Sequence, residues 1–248
     1  MTEQTQLLYP VVMMLAVAVG ALVSRRSQRG LKLTGTHRLW IGLWAFSGAM
    51  LLAKLPFVIV ASLHADAGRS VLLSGKTIML GLAGGYAGVE FAKWQLGIRS
   101  KTGDSFAVPV ALSIGIGRLA CLCGGCCYGT PTTLPWGLTF ITADALPRHP
   151  TQIYEAIFHF VAAFALTVLR SEGMLRGQLI KLYFLAYFSY RFLTEYIRPE
   201  PVVYGGLTAY QWGAVLLIPL FIVLWLWDNQ TLRQPENVAS LAESGTSD

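Results

Sequence analysis

Charge is scarce in this chain. Only 13% of its 248 residues are Asp, Glu, Lys or Arg, against 54% hydrophobic residues, where soluble domains carry roughly a quarter charged residues. A soluble globule of this size would be left without enough polar side chains to cover its surface. The mean hydropathy of +0.53 points instead to a membrane protein. Cysteine is missing everywhere outside residues 121–127, where all four thiols lie. That clustering excludes a disulfide framework across the fold and leaves only a local bridge. No basic segment precedes the first apolar run, so residues 7–23 do not read as a signal peptide. There is no internal repeat and no polar domain. The net charge of +6 therefore forms no basic patch of the kind that binds nucleic acid, and no nucleic-acid partner is expected. Basic residues in membrane loops, facing anionic lipids, account for it.

What is present is a series of apolar runs. Spanning about 30 Å of hydrocarbon takes roughly 20 helical residues. Seven runs qualify or nearly so: 7–23, 39–63, 76–96, 106–121, 150–169, 178–197 and 207–227. The expected fold is all-α, a polytopic transmembrane helical bundle of about seven spanning helices. Residues 1–228 form a single integral membrane domain, and 229–248 form a polar, disordered cytoplasmic tail. Arg25, Arg26, Arg29, Lys32 and Arg38 crowd the first loop, which places that loop in the cytoplasm, the N-terminus outside and the C-terminus inside. Alternation then brings Arg99, Lys101, Arg170 and Arg176 inside. It sends the cysteine stretch and the segment from Arg148 to Ala156 to the outer, periplasmic-type side.

Ionisable side chains at membrane depth are costly and normally face the bundle interior. In the sixth run, Tyr187, Arg191, Glu195 and Arg198 recur at spacings of four, four and three, which is one helical stripe. Glu195 can pair with either arginine. In one arrangement it holds Arg198 and leaves Arg191 free for a ligand anion beside Tyr187. A packing ion pair is the competing explanation. Arg118, at the outer end of a different run, favours the ligand: two buried arginines around one carboxylate leave excess positive charge. A phosphate answers guanidinium geometry, and in a membrane the commonest phosphate is a lipid head group. In the fifth run, Gln152, Glu155 and His159 share a face flanked by Tyr154. His149 stands just before Pro150 at the helix start, as a base, an orienting hydrogen-bond partner or an interfacial residue. Gly81, Gly84, Gly85 and Gly88 repeat at helix-packing intervals.

The pattern Cys-x-Cys-x-x-Cys-Cys over 121–127 has ligand-type residues at short spacing. Structural metal sites usually join two separated ligand pairs, so no metal is expected. A local disulfide, compact loop filling or a nucleophilic thiol remain open.

Together these segments resemble the prolipoprotein diacylglyceryl transferase family of bacterial inner-membrane enzymes. The resemblance is carried by "AGGYAG" at 83–88, "DSFAVPVALSIGIGRLACLCGGCCYG" at 104–129, "HPTQIYEA" at 149–156, "YFSYRFLTEYIRPEP" at 187–201 and "LTAYQW" at 207–212. It implies transfer of diacylglycerol from phosphatidylglycerol to the thiol of a lipobox cysteine in a prolipoprotein, with release of glycerol phosphate and no cofactor. The expected site is multi-pass and opens toward the periplasmic side of the inner membrane. Arg118, Arg191 and Tyr187 match positions that hold the head group and stabilise its departure. Glu195 and Arg198 match a supporting pair, and Gly84, Gly85, Gly117 and Gly129 match glycines lining the site. With Gln152, Tyr154 and Glu155 these form the expected binding set, and His149 is the added catalytic candidate. Tyr9 is a further lining candidate. Three departures stand out. Ala83 replaces a histidine usual before the paired glycines, Cys121 replaces an asparagine and Cys126 an acidic residue. The alternatives are a related lipid transferase with another acceptor, a phospholipid-binding membrane protein without chemistry, or a metal or redox sensor built on the cysteine loop.

Overall fold

A computed structural model describes residues 7–31, 33–63 and 77–244. Lys32, one of the charges used to orient the chain, and the last four residues of the tail lie outside the described residues. The described residues are mostly helical. The helices are α1 (Leu8–Ser27), α2 (Gly35–Leu63), α3 (Ile78–Gln95) and α4 (Gly103–Cys123). After the short strands β1 (Leu138–Thr139) and β2 (Pro147–Arg148) come α5 (Thr151–Ser171), α6 (Leu179–Thr194) and a single 3-10 turn (Glu195–Ile197). Strands β3 (Val202–Tyr204) and β4 (Leu207–Thr208) lead into α7 (Ala209–Ser244). The seven helices among the described residues fall on the seven apolar runs. Five of them are long and apolar enough to cross a membrane: α1, α2, α4, α5 and α7. The backbone of α7 continues helical to Ser244, beyond the boundary at 228 drawn from composition.

Two compact units make up the chain. The smaller one, residues 29–101, is built on α2 against α3. Its seam is backbone on backbone: a Cβ at Gly84 would strike the Gly48 carbonyl, and one at Gly88 the Trp44 carbonyl. The small-residue repeat on α3 is thus used for close helix packing.

The larger unit comprises the first 28 residues and residues 102–248. Its centre is α4, which packs against α1, α5 and α6, while α6 also carries α7. Helix α4 fits between three neighbours because its inward positions are small. Ala107, Ala111 and Gly115 recur every fourth residue and are buried, and the Phe160 ring of α5 lies where a Cβ of Gly115 would be, 2.8 Å away. At 21 residues the helix is about 32 Å long.

The distribution of polarity is inside out. On α5 the buried face carries Gln152, Glu155 and His159, while Ile157, Val161, Phe164 and Val168 are exposed. Polar groups inside and apolar side chains outside is the reverse of a soluble helix, and it is what a hydrocarbon solvent selects. The molecule is an all-α membrane bundle.

Between α4 and α5 the chain forms a small cap. Leu138 pairs with Arg148 and Thr139 with Pro147. The amides of Gly129 and Thr130 donate to the His149 and Ile197 carbonyls at 2.8 and 2.9 Å. Phe140 is buried and stacks on Tyr128, ring centres 5.3 Å apart. Arg148 lies over the Tyr128 ring and pairs with Asp144 at 2.5 Å, a contact that holds the Asp144 carboxyl below the usual carboxylate range.

Candidate functional site

Glu155 is the hub. It is 1% exposed and projects from the first turns of α5, where its spacing from Gln152 and His159 turns all three inward. Both carboxylate oxygens are engaged. Oε1 accepts from Arg118 Nη2 of α4 at 2.6 Å and from the Tyr187 hydroxyl of α6 at 2.7 Å. Oε2 accepts from Arg198 Nη2 at 2.8 Å. His159 Nε2 lies 3.8 Å from the same carboxylate, and its Nδ1 is 2.9 Å from the Tyr183 hydroxyl. Two guanidinium groups from separate elements therefore meet on one carboxylate inside an apolar bundle. Such a cluster persists only if its charged groups are paired in good geometry and hydrogen-bonded.

Arg191 sits one turn beyond Tyr187 on α6. Its Nη2 pairs with Glu195 Oε2 at 2.8 Å, and its guanidinium lies over the Tyr210 ring, 4.7 Å from the centre. It is within electrostatic reach of Glu155. Glu195 Oε1 accepts from the Thr208 hydroxyl at 2.9 Å. Thr208 and Gln211 form a capping box at the start of α7: the Thr208 amide donates to Gln211 Oε1 at 3.0 Å and the Gln211 amide to Thr208 Oγ1 at 3.3 Å.

The partnership of Glu195 with Arg198 is therefore corrected. Glu195 holds Arg191, and Arg198 crosses to Glu155. The reason is local. The i,i+4 pair remains on one helical face up to Glu195, but α6 ends at Thr194 and a 3-10 turn follows. Arg198 then takes an extended backbone, φ −107° and ψ 145°, which swings it off the stripe. Arg191 is accordingly not free as a whole; one of its donors is.

Three buried arginines face two buried carboxylates, leaving one net positive charge. Arg118 Nε, Arg191 Nη1 and Arg198 Nε are buried without a hydrogen-bond partner among the described residues. A buried guanidinium donor left unpaired costs on the order of 1–3 kcal/mol or more, so each of these three N–H groups is in want of an acceptor.

The remaining expected residues fall around this centre or apart from it. Gln152 Nε2 donates to the Cys126 carbonyl at 2.5 Å. The Tyr154 hydroxyl accepts from the Trp136 indole at 2.7 Å and lies 3.5 Å from His149 Nδ1. His149 thus belongs to the cap, half-buried, with its backbone bonded to Gly129 and Thr130. Gly129 requires its missing side chain, since a Cβ would be 2.6 Å from the Ile197 carbonyl oxygen and 2.7 Å from His149 Cβ. Gly117 is less constrained, with only Met13 Sδ at 4.0 Å. The Tyr9 ring closes on Gly124. Gly84 and Gly85 belong to the smaller unit, where Gly84 packs against Gly48.

Sequence reasoning missed Tyr183, Thr208, Tyr210 and Gln211. Tyr183 extends the stripe of α6 one turn back, at the same spacing of four. Thr-x-x-Gln ahead of an apolar run is a capping-box signal that marks both Thr208 and Gln211. Tyr210 carries no comparable signal.

The cysteine loop adjoins the cluster. Gly125 and Cys127 both have left-handed backbones, φ 64° and 62°, and the Cys127 carbonyl accepts from Thr151 Oγ1 at 2.6 Å. The neighbouring Cys121 and Cys126 thiols, with the charges of Arg118 and Arg198, hold the Cys127 thiol below its ordinary range.

Comparison with known proteins adds a family. A profile described as prolipoprotein diacylglyceryl transferase matches residues 5–227. A phosphatidylglycerol–prolipoprotein diacylglyceryl transferase of Nitratidesulfovibrio vulgaris is 39% identical over 153 residues, 58% of this chain and 57% of that protein. One of Clostridium tetani is 31% identical over 196 residues, 74% of this chain and 76% of that protein. One of Nitrosomonas europaea is 33% identical over 168 residues, 63% and 60% of the two chains. The chain thus spans less than two thirds of the length of the Nitratidesulfovibrio relative.

Proposed function

The chain belongs to the prolipoprotein diacylglyceryl transferase family, and from that premise we propose that it moves diacylglycerol from phosphatidylglycerol to a cysteine thiol of a prolipoprotein. The observation that carries this reading is the excess guanidinium charge around Glu155 and Glu195, with its three unpartnered donors. A phosphodiester fits it in charge and in donor geometry.

In the reaction, the acceptor sulfur attacks the glycerol carbon that bears the phosphate. A sulfur–carbon bond forms, the carbon–oxygen bond breaks, and glycerol phosphate departs with the bonding electron pair. The leaving group gains a second negative charge as it separates. Donors fixed before the reaction, here on Arg118, Arg191 and Arg198, stabilise that charge without reorganising. Glu155 keeps Arg118 and Arg198 in place, and Glu195 keeps Arg191. With both oxygens already accepting from arginines and Tyr187, Glu155 is a poor proton acceptor. His149, at the cap beside Tyr154, is the better candidate to take the thiol proton. The lipobox segment is the expected acceptor, and the site faces the periplasmic side of a bacterial inner membrane.

The test is transfer from labelled phosphatidylglycerol to a lipobox peptide. The unmutated protein transfers. Arg118→Ala and Arg191→Ala fall by about 10²–10³-fold, the usual effect of removing one such donor, while remaining monodisperse. Lysine in place of either arginine restores little, because a point charge does not reproduce the planar fork. Phospholipid bound without transfer would favour the non-catalytic alternative, for which the departures at Ala83, Cys121 and Cys126 speak.

A further inference from the structure

One feature of the chain is left without a part in that chemistry: the thiols. Cys121 lies in the last turn of α4, and Cys126 and Cys127 lie in the loop that follows. The three Sγ atoms lie within 4.8 Å of one another. All four cysteines are free thiols.

The loop is held in a costly shape. A left-handed backbone is unfavourable by about 1–2 kcal/mol for a residue bearing a Cβ, yet Cys127 adopts one. It is kept there by the first turn of α5. Thr151 and Gln152 donate to the Cys127 and Cys126 carbonyls at 2.6 and 2.5 Å. From the other side, the Cys126 amide donates to the Cys121 carbonyl at 3.1 Å. Thr142 donates to the Gly125 carbonyl. Both adjacent cysteines are thus anchored by their main chain, so that they meet Cys121 instead of diverging. Close spacing in sequence does not prevent convergence, because one ligand comes from a helix end and two from a turn that reverses direction at Gly125.

We propose that Cys121, Cys126 and Cys127 form a three-thiolate site for a soft, thiophilic metal ion. A metal–sulfur distance of about 2.3 Å sets neighbouring sulfurs about 3.8–4.0 Å apart, so small rotations of the three side chains suffice. Two ions share the required chemistry. Zn²⁺ takes the three thiolates and keeps a fourth position open, and Cu⁺ is satisfied by soft sulfur donors alone. Either complex is net negative, and Arg118, one turn before Cys121 on α4, places a fixed cation beside it. Cys123 is outside the cluster.

The test uses the full chain purified in detergent, reduced and metal-free, then given Zn²⁺ or Cu⁺ without oxygen. One ion per chain should remain after desalting, and comparing the two ions identifies the preferred one. On the unmutated protein, bound metal should protect three of the four thiols from a maleimide, leaving Cys123 alone labelled. Cys121→Ser, Cys126→Ser and Cys127→Ser should each lose the ion by tenfold or more in affinity, and Cys123→Ser should keep it. Metal that does not stay with the unmutated protein, equal labelling of all four thiols with metal present, or loss in Cys123→Ser equal to that in Cys126→Ser would each overturn the site. The protection measurement needs no variant to fold.

Discussion

At the scale of single residues, Glu155 decides the most. It accepts from two arginines and a tyrosine at 2.6–2.8 Å, so Glu155→Gln removes a charge while leaving Arg118 and Arg198 buried. Breaking a buried pair this way costs about 3–5 kcal/mol, and thermal unfolding in detergent should register a loss of that order. Thr208→Ala removes both a helix cap and a hydrogen bond to Glu195. A cap alone is worth about 0.5–2 kcal/mol, and the variant should lose transfer activity as well, because Arg191 is positioned through Glu195. Residues such as Arg118, Tyr187 and Arg191 were legible in the sequence because charge at membrane depth is rare and a spacing of four fixes a shared face. Which arginine meets which carboxylate was not legible. That depends on where α6 stops being α-helical, and a change from α to 3-10 geometry over three residues leaves no periodic signal.

At the scale of elements, helix existence followed from apolar length, and each of the seven runs became a helix. The cap between α4 and α5 was not foreseen. Its strands are two residues long, too short to show alternation, and they are held by backbone bonds that link residues far apart in sequence. Gly129→Ala tests how closely that cap must sit. The added Cβ would lie 2.6 Å from the Ile197 carbonyl oxygen and 2.7 Å from His149 Cβ, so the backbone must shift. Overpacking of this kind costs about 1–3 kcal/mol, and the variant should be both less stable and slower in transfer, whereas Gly117→Ala, with its nearest neighbour at 4.0 Å, should be close to neutral in stability. Equal effects at the two glycines would contradict the packing described.

At the scale of the whole molecule, the inversion of polarity on α5 identifies the solvent as lipid, and the sequence anticipated this from its shortage of charge. Orientation rests on the basic first loop. A reporter active only in the cytoplasm, fused after residue 228, should therefore be active, and the same reporter inserted between residues 131 and 146 should be silent. The opposite pattern would turn the site to the other face.

The central claim is that the buried arginine excess holds a phospholipid phosphodiester, and equilibrium retention of phosphatidylglycerol by the purified chain, with no acceptor present, tests it most directly. The account predicts that the unmutated protein retains phosphatidylglycerol in preference to diacylglycerol, which lacks the phosphate, and that Arg118→Gln and Arg191→Gln lose that preference by tenfold or more while still folding. Unchanged preference in both variants would contradict it.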